Sequence, residues 1–206
     1  LAAGKTVVVV ERDGVVVGVL ALADELRPRV GEAIAALRQL GIREIELLTG
    51  DHERAAAALG RQLGIRWRAR LLPDQKLAIV RDYQAAGRVV VMVGDGINDA
   101  PALAAADLGI AMGSGTDVAI AAAGFTLMRP DPRLVPAALS IARATRRTIR
   151  QNLFWAFLYN LLALPLAALG FLTPAVAGSA MALSSLSVVL NALRLARWRP
   201  DFGTAA

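Results

Sequence analysis

Met92-Val93-Gly94-Asp95-Gly96-Ile97-Asn98-Asp99-Ala100-Pro101-Ala102-Leu103 is the stretch on which the reading of this chain turns. A strand over Arg88 to Val93 runs into two glycines, two carboxylates four residues apart and an asparagine beside the second. Hard Mg²⁺ takes carboxylate oxygens together with phosphate oxygens, and glycines let backbone approach a ligand closely. The segment therefore reads as a Mg²⁺ and phosphate site at a strand end. The plainer alternative, a loop of solvated acids, suits a lone Asp-Gly turn better than so dense a cluster.

Upstream, strands and helices alternate. Helical apolar spacing covers Arg29 to Leu40 and stops at Gly41, and a short strand, Ile45 to Leu48, ends at Thr49-Gly50-Asp51. A helix over Glu53 to Leu63, a strand near Trp67 to Ala69 and a helix over Gln75 to Ala85 lead back to the strand at Arg88. Downstream come a helix to about Ala106, a strand at Leu108 to Met112, a Gly-Ser-Gly turn, a helix from about Thr116 and a strand near Phe125 to Met128. This alternation predicts an α/β fold with a parallel, doubly wound, Rossmann-like sheet. Ligands in such sheets bind beyond the carboxyl ends of the strands, so Thr49-Gly50-Asp51 and Gly94-Asp95-Gly96 are expected to face one site. The start of the chain reads as a β-hairpin, Lys5 to Val10 and Val15 to Leu22, turning at Asp13-Gly14.

The remaining third changes character. Arg129-Pro130-Asp131-Pro132 is rich in breakers, Leu134 to Arg150 is amphipathic, and Leu153 to Leu172 is uncharged. About 20 residues at 1.5 Å each cross a hydrocarbon core of about 30 Å. Ala175 to Leu193 is uncharged again after Thr173-Pro174, giving a two-helix transmembrane hairpin. Arg143, Arg146, Arg147 and Arg150 stand before the first span, and Arg194, Arg197 and Arg199 follow the second. The positive-inside rule then puts both ends of the hairpin in the cytoplasm. The expected division is 1–23, the hairpin; 24–130, the α/β domain; 131–152, linker and amphipathic helix; 153–195, two membrane helices; and 196–206, a tail.

Composition supports the membrane reading. The chain of 206 residues is 56% hydrophobic and carries 23 Lys+Arg against 17 Asp+Glu, a net charge of +6. The basic clusters flank the apolar segments and lack interleaved aromatics, so no nucleic-acid partner is expected. With no cysteine, neither a disulfide nor a thiolate metal site can form within these residues. Gly4-Lys5-Thr6 lacks the upstream glycine and strand of a P-loop.

Gly94-Asp95-Gly96-Ile97-Asn98-Asp99-Ala100-Pro101 resembles the hinge motif of P-type ATPases, in the haloacid dehalogenase superfamily. Thr49-Gly50-Asp51 resembles their TGD motif, and Leu72-Pro73-Asp74-Gln75-Lys76 their P-x-x-K segment, in matching order and spacing. The resemblance implies that Asp95, with Asp99, holds Mg²⁺, that Asn98 and Asp99 hold phosphate and the catalytic loop, and that Thr49 hydrogen-bonds a phosphoryl oxygen. It implies Lys76 as the fixed cation and Asp51 near the nucleotide or the domain hinge. Phosphoryl transfer is mostly positioning and charge neutralisation, which such a set supplies. The family's nucleophile sits in Asp-Lys-Thr-Gly-Thr, and that motif does not occur in the chain. The chain, which starts Leu1-Ala2-Ala3-Gly4, reads as a fragment, inactive by itself, with ATP bound through a nucleotide domain it lacks. Ala121 and Gly124 depart from the acidic pair that relatives show in a TDVAxExAD pattern.

Tyr159, Asn160, Met181 and Ser185 resemble the ion-path residues of the copper-exporting subfamily. The spans hold no Lys, Asp, Glu or His, and a thioether suits soft Cu(I) or Ag(I) better than divalent ions. Ser184, Ser187 and Asn191 suit helix packing as well as ligation. The expected function is ATP-driven heavy-metal export across the plasma membrane bilayer. A membrane-anchored phosphatase of the same superfamily and a non-enzymatic truncated remnant are the alternatives.

Overall fold

The computed structural model describes residues 6–22, 26–113, 115–171 and 173–200. Lys5 of the expected hairpin, Ser114 of the Gly-Ser-Gly turn, Leu172 and the end of the tail from Asp201 lie outside them. The chain divides into two compact units, Leu1–Pro136 and Ala137–Ala206.

In the first unit, β1 (Thr6–Arg12) and β2 (Val15–Leu22) form the antiparallel hairpin. Its turn residues Asp13 and Gly14 both take positive φ, 51° and 79°. That combination matches the right-handed twist of the strands and explains the Asp-Gly pair. The elements α1 (Val30–Gln39), β3 (Glu46–Leu48), α2 (Glu53–Leu63), β4 (Arg66–Arg68), α3 (Pro73–Ala85) and β5 (Val91–Gly94) follow. A 3-10 turn at Ile97–Asp99 leads into α4 (Ala100–Ala105), β6 (Leu108–Met112), α5 (Asp117–Ala122) and β7 (Phe125–Leu127).

All pairings after the hairpin are parallel, but among the described residues the sheet is in two pieces. One has the order β3-β4 and the other β5-β6-β7. The gap in the doubly wound sheet lies between β3 and β5, where no described strand pairs with the remaining edge of either. Other contacts bridge this interval. Arg88 and Arg66 both pair with Glu44, the latter at 3.1 Å, and the Arg88 hydrogen bond draws the Glu44 carboxyl below its ordinary pKa. Tyr83 on α3 donates to Glu46 Oε2 at 2.8 Å.

Helices cover both faces of β5-β6-β7. Val80 of α3, Met92 of β5, Ala102 and Leu103 of α4 and Ala119 of α5 form one buried cluster. On the other face Ile110, Met112, Leu127 and Val135 pack with Leu37 of α1. A side chain at buried Gly109 would put its Cβ 2.3 Å from the Leu103 carbonyl oxygen, a backbone atom that cannot step aside. Gly109→Ala is therefore expected to cost about 2 kcal/mol by overpacking, read as a lowered denaturant midpoint at unchanged slope.

β5 begins at Val91, because the amide of Val90 donates to Asp107 Oδ2 at 2.8 Å instead of to a strand. This bond is the first cause of a lowered Asp107 pKa, helped by Gln84. A carboxyl lowered in the fold stabilises it above the ordinary carboxyl range, and that stabilisation is lost as pH falls through the folded value. Asp107→Asn keeps an acceptor but not the charge. It is expected to flatten the acid limb of a stability-versus-pH curve and to leave its neutral slope unchanged.

The second unit holds most of α6 (Leu134–Ala168) and all of α7 (Pro174–Arg197). The amphipathic segment and the first uncharged segment are one helix of 35 residues, with Pro165 inside it. Asn191 Nδ2 donates to Asn152 Oδ1 at 2.8 Å and to Gln151 Oε1 at 3.3 Å, so α7 returns beside α6. By length and composition α7 is the one helix among the described residues that qualifies as a membrane span, with a mean hydropathy of 1.7. Its apolar side chains, and those of the uncharged half of α6, are largely exposed.

Candidate phosphate and metal site

The strand-end chemistry starts with Gly94. Its Cβ, if present, would lie 2.7 Å from the Asp99 Cβ and 2.8 Å from Asp99 Oδ2. Only glycine lets β5 run directly over that carboxylate. Lys76 projects from the first turns of α3 and donates to Asp99 Oδ1 at 2.7 Å. The two side chains are 10% and 14% exposed, so this pair sits mostly out of water. The other oxygen, Asp99 Oδ2, accepts from the Gly96 amide at 3.4 Å. Asp99 thus serves as a fixed anchor for the loop, and the Lys76 charge is engaged within the protein.

Asp95 differs. Its backbone oxygen accepts from the Thr116 amide at 2.9 Å, tying the loop to the start of α5. Its carboxylate is 46% exposed and pairs with Arg27, a residue that sequence reasoning missed. Arg27 lies 68 residues away in the segment after β2, and nothing local marks it. Asn98 is exposed in the 3-10 turn.

At the end of β3, Thr49 Oγ1 donates to Asp51 Oδ2 at 2.6 Å and accepts from the Asp51 amide at 3.1 Å. Gly50 is open enough for ordinary contact with the Leu71 carbonyl oxygen at 3.5 Å. His52 precedes α2 and is exposed. Both polar clusters follow the carboxyl ends of parallel strands. The structure joins Lys76, Asp99, Gly94 and Gly96 into one network and links Arg27 to Asp95. Among the described residues no hydrogen bond joins Thr49 or Asp51 to them.

A Mg²⁺ site completed by substrate phosphate takes one or two protein carboxylates, and Asp95 is the one here that can serve, since both oxygens of Asp99 are engaged. Among the described residues no group of three His, Cys, Asp or Glu side chains is assembled for a metal. The fit rests on Asp95, half-exposed and already facing a cation.

In the second unit, among the described residues, no hydrogen bond or ring contact joins the four expected ion ligands to one another. Asn160 Nδ2 donates to the Ala156 carbonyl oxygen of its own helix at 3.0 Å, and Tyr159 lies against Trp155 with ring centroids 6.3 Å apart. Met181 and Ser185, one turn apart on α7, are exposed.

The family model for haloacid dehalogenase-like hydrolases matches residues 1–107. The chain is 53% identical over 203 residues to the "Probable copper-exporting P-type ATPase V" of Mycobacterium tuberculosis, covering 98% of this chain and 26% of that protein. It is 50% identical over 195 residues to the copper-exporting P-type ATPase of Bacillus subtilis, covering 94% and 24%. A crystal structure of a zinc-transporting PIB-type ATPase in its E2.Pi state superposes with a TM-score of 0.81 at 43% identity, over 94% of this chain and 32% of the other. The chain spans about a quarter of the length of the curated relatives it matches.

Proposed function

Because the chain belongs to the haloacid dehalogenase-like hydrolases and is similar along nearly its whole length to heavy-metal P-type ATPases, we propose that it supplies the metal-and-phosphate half of the catalytic site, and part of the ion path, of an ATP-driven heavy-metal pump. The observation that carries this reading is the strand-end constellation: an accessible Asp95 beside an Asp99 locked by Lys76 under Gly94. Asp95 is the metal ligand that this chain can present, and Asp99 with Lys76 fixes the loop that presents it. A bound Mg²⁺ would neutralise charge on phosphoryl oxygens. Thr49 turns its hydroxyl from Asp51 to a phosphoryl oxygen, and Asn98 reaches phosphate from the exposed turn. The nucleophilic carboxylate and the nucleotide domain come from outside these residues, since the chain has no Asp-Lys-Thr-Gly-Thr.

For the cargo we favour Cu(I) or Ag(I), exported from the cytoplasm across the plasma membrane. The relatives named for copper and the soft Met181 support this choice. The similarity to a zinc-transporting protein makes the divalent ion the specific competitor. Translating the coding DNA upstream of Leu1 tests the assignment first. Cys-Pro-Cys followed by Asp-Lys-Thr-Gly-Thr is expected, whereas a different aspartate motif would indicate a phosphatase. ATP hydrolysis by the full gene product then settles the ion: Cu(I) and Ag(I) are expected to stimulate it, and stimulation by Zn(II) alone would overturn the choice.

A further inference from the structure

The cation already at Asp95 carries a consequence for metal loading. Arg27 reaches Asp95 Oδ2 from the segment between β2 and α1, with 37% of its side chain exposed against 46% for Asp95. Pro28 follows it and disfavours helical backbone at Arg27, so the residue is held extended instead of being drawn into α1. The Asp95 backbone is fixed independently through its carbonyl oxygen and the Thr116 amide. Exchange of the carboxylate's partner therefore needs no movement of the loop backbone. Lys76 cannot take the same part, because it is buried against Asp99.

We propose that Arg27 is the resident counter-ion of Asp95, a positioning residue that holds the carboxylate in place until a divalent cation displaces it. This rests on the reading of Asp95 as the metal ligand. In the absence of metal the guanidinium compensates the charge of the half-exposed Asp95 carboxylate and holds it in place. A bound divalent cation would take the carboxylate from Arg27, whose positive charge would then stand beside the anionic phosphoryl group that accompanies the metal. The two cations thus compete for one carboxylate.

The experiment uses the full-length protein in detergent micelles with Mn²⁺ as the probe, free Mn²⁺ being read by electron paramagnetic resonance. A partly exposed ion pair contributes little, so Arg27→Gln is expected to tighten Mn²⁺ binding only about fivefold, with Arg27→Lys in between. Arg81→Gln, which removes an exposed charge on α3, is the control for net charge and is expected to leave binding unchanged. Thermal unfolding gives the second readout: Arg27→Gln is less stable than wild type without metal, and the gap closes at saturating Mn²⁺. Equal Mn²⁺ affinities for wild type and Arg27→Gln, or a stability gap that persists with metal, would show Arg27 to be a structural residue and overturn the proposal. Asp95→Asn separates the two levels of the argument. If it binds Mn²⁺ as wild type does, the site assignment itself fails, whatever Arg27 does.

Discussion

Asp95→Asn, made in the full-length protein, is expected to lower Mg²⁺-dependent ATP turnover by about 10²-fold or more. The substitution is nearly isosteric and leaves the backbone oxygen free to accept from Thr116, so the loop should keep its course. What disappears is the half-exposed negative charge that recommends this position for a hard cation. Removing one preorganised electrostatic partner from a transition state that depends on charge neutralisation costs about 10² to 10³ in rate. Because the loss acts through metal affinity, raising Mg²⁺ should recover part of the rate. Steady-state turnover across a Mg²⁺ titration makes the measurement, and a variant within threefold of wild type would remove Asp95 from the metal site.

Lys76→Met carries the largest expected effect on stability. Lys76 is 8% exposed, the one charged residue in the buried class among those described, and its ammonium lies 2.7 Å from Asp99 Oδ1. Methionine fills most of the aliphatic volume but leaves the Asp99 carboxylate beneath Gly94 without its counter-charge. Removing one member of a buried pair costs about 3–5 kcal/mol, and the lower end applies because both tips retain slight exposure. About 3 kcal/mol is therefore expected, read from chemical unfolding of the chain in detergent. Lys76→Met combined with Asp99→Asn should recover most of it, since no unpaired charge then remains. A single-variant loss below about 1 kcal/mol would mean that water screens the pair.

Where local chemistry dictates conformation, sequence and structure agree closely. The Asp13-Gly14 turn, the α2 boundaries at Glu53 and Leu63, and β6 at Leu108–Met112 fall where turn residues and periodicity put them. α3 starts two residues before its expected position, at Pro73, a residue suited to the first helical turn. α6 shows the opposite case. A change from charged to uncharged composition near Asn152 suggests two elements, but backbone hydrogen bonding does not register side-chain charge. Neither a glycine nor a proline stands between Arg150 and Leu153, so the helix continues.

The candidate site is legible as a set of residues and not as a set of partnerships. Asp95, Asp99, Asn98, Lys76 and Thr49 are marked by motif, but Lys76 bonds Asp99 across 23 residues and Arg27 meets Asp95 across 68. Pairings at such separations depend on how α3 and the segment before α1 come to lie against the loop after β5. Side-chain identity and local spacing carry no record of that.

The break between β3 and β5 also bears on what the sheet can accept. Each of these strands has a neighbour on one side only, so amides and carbonyls on the other side are left without ladder partners among the described residues. Open edges of this kind pair readily with any extended backbone that can reach them. A strand contributed from outside these residues would meet a row of hydrogen-bonding groups on both of its sides in that interval.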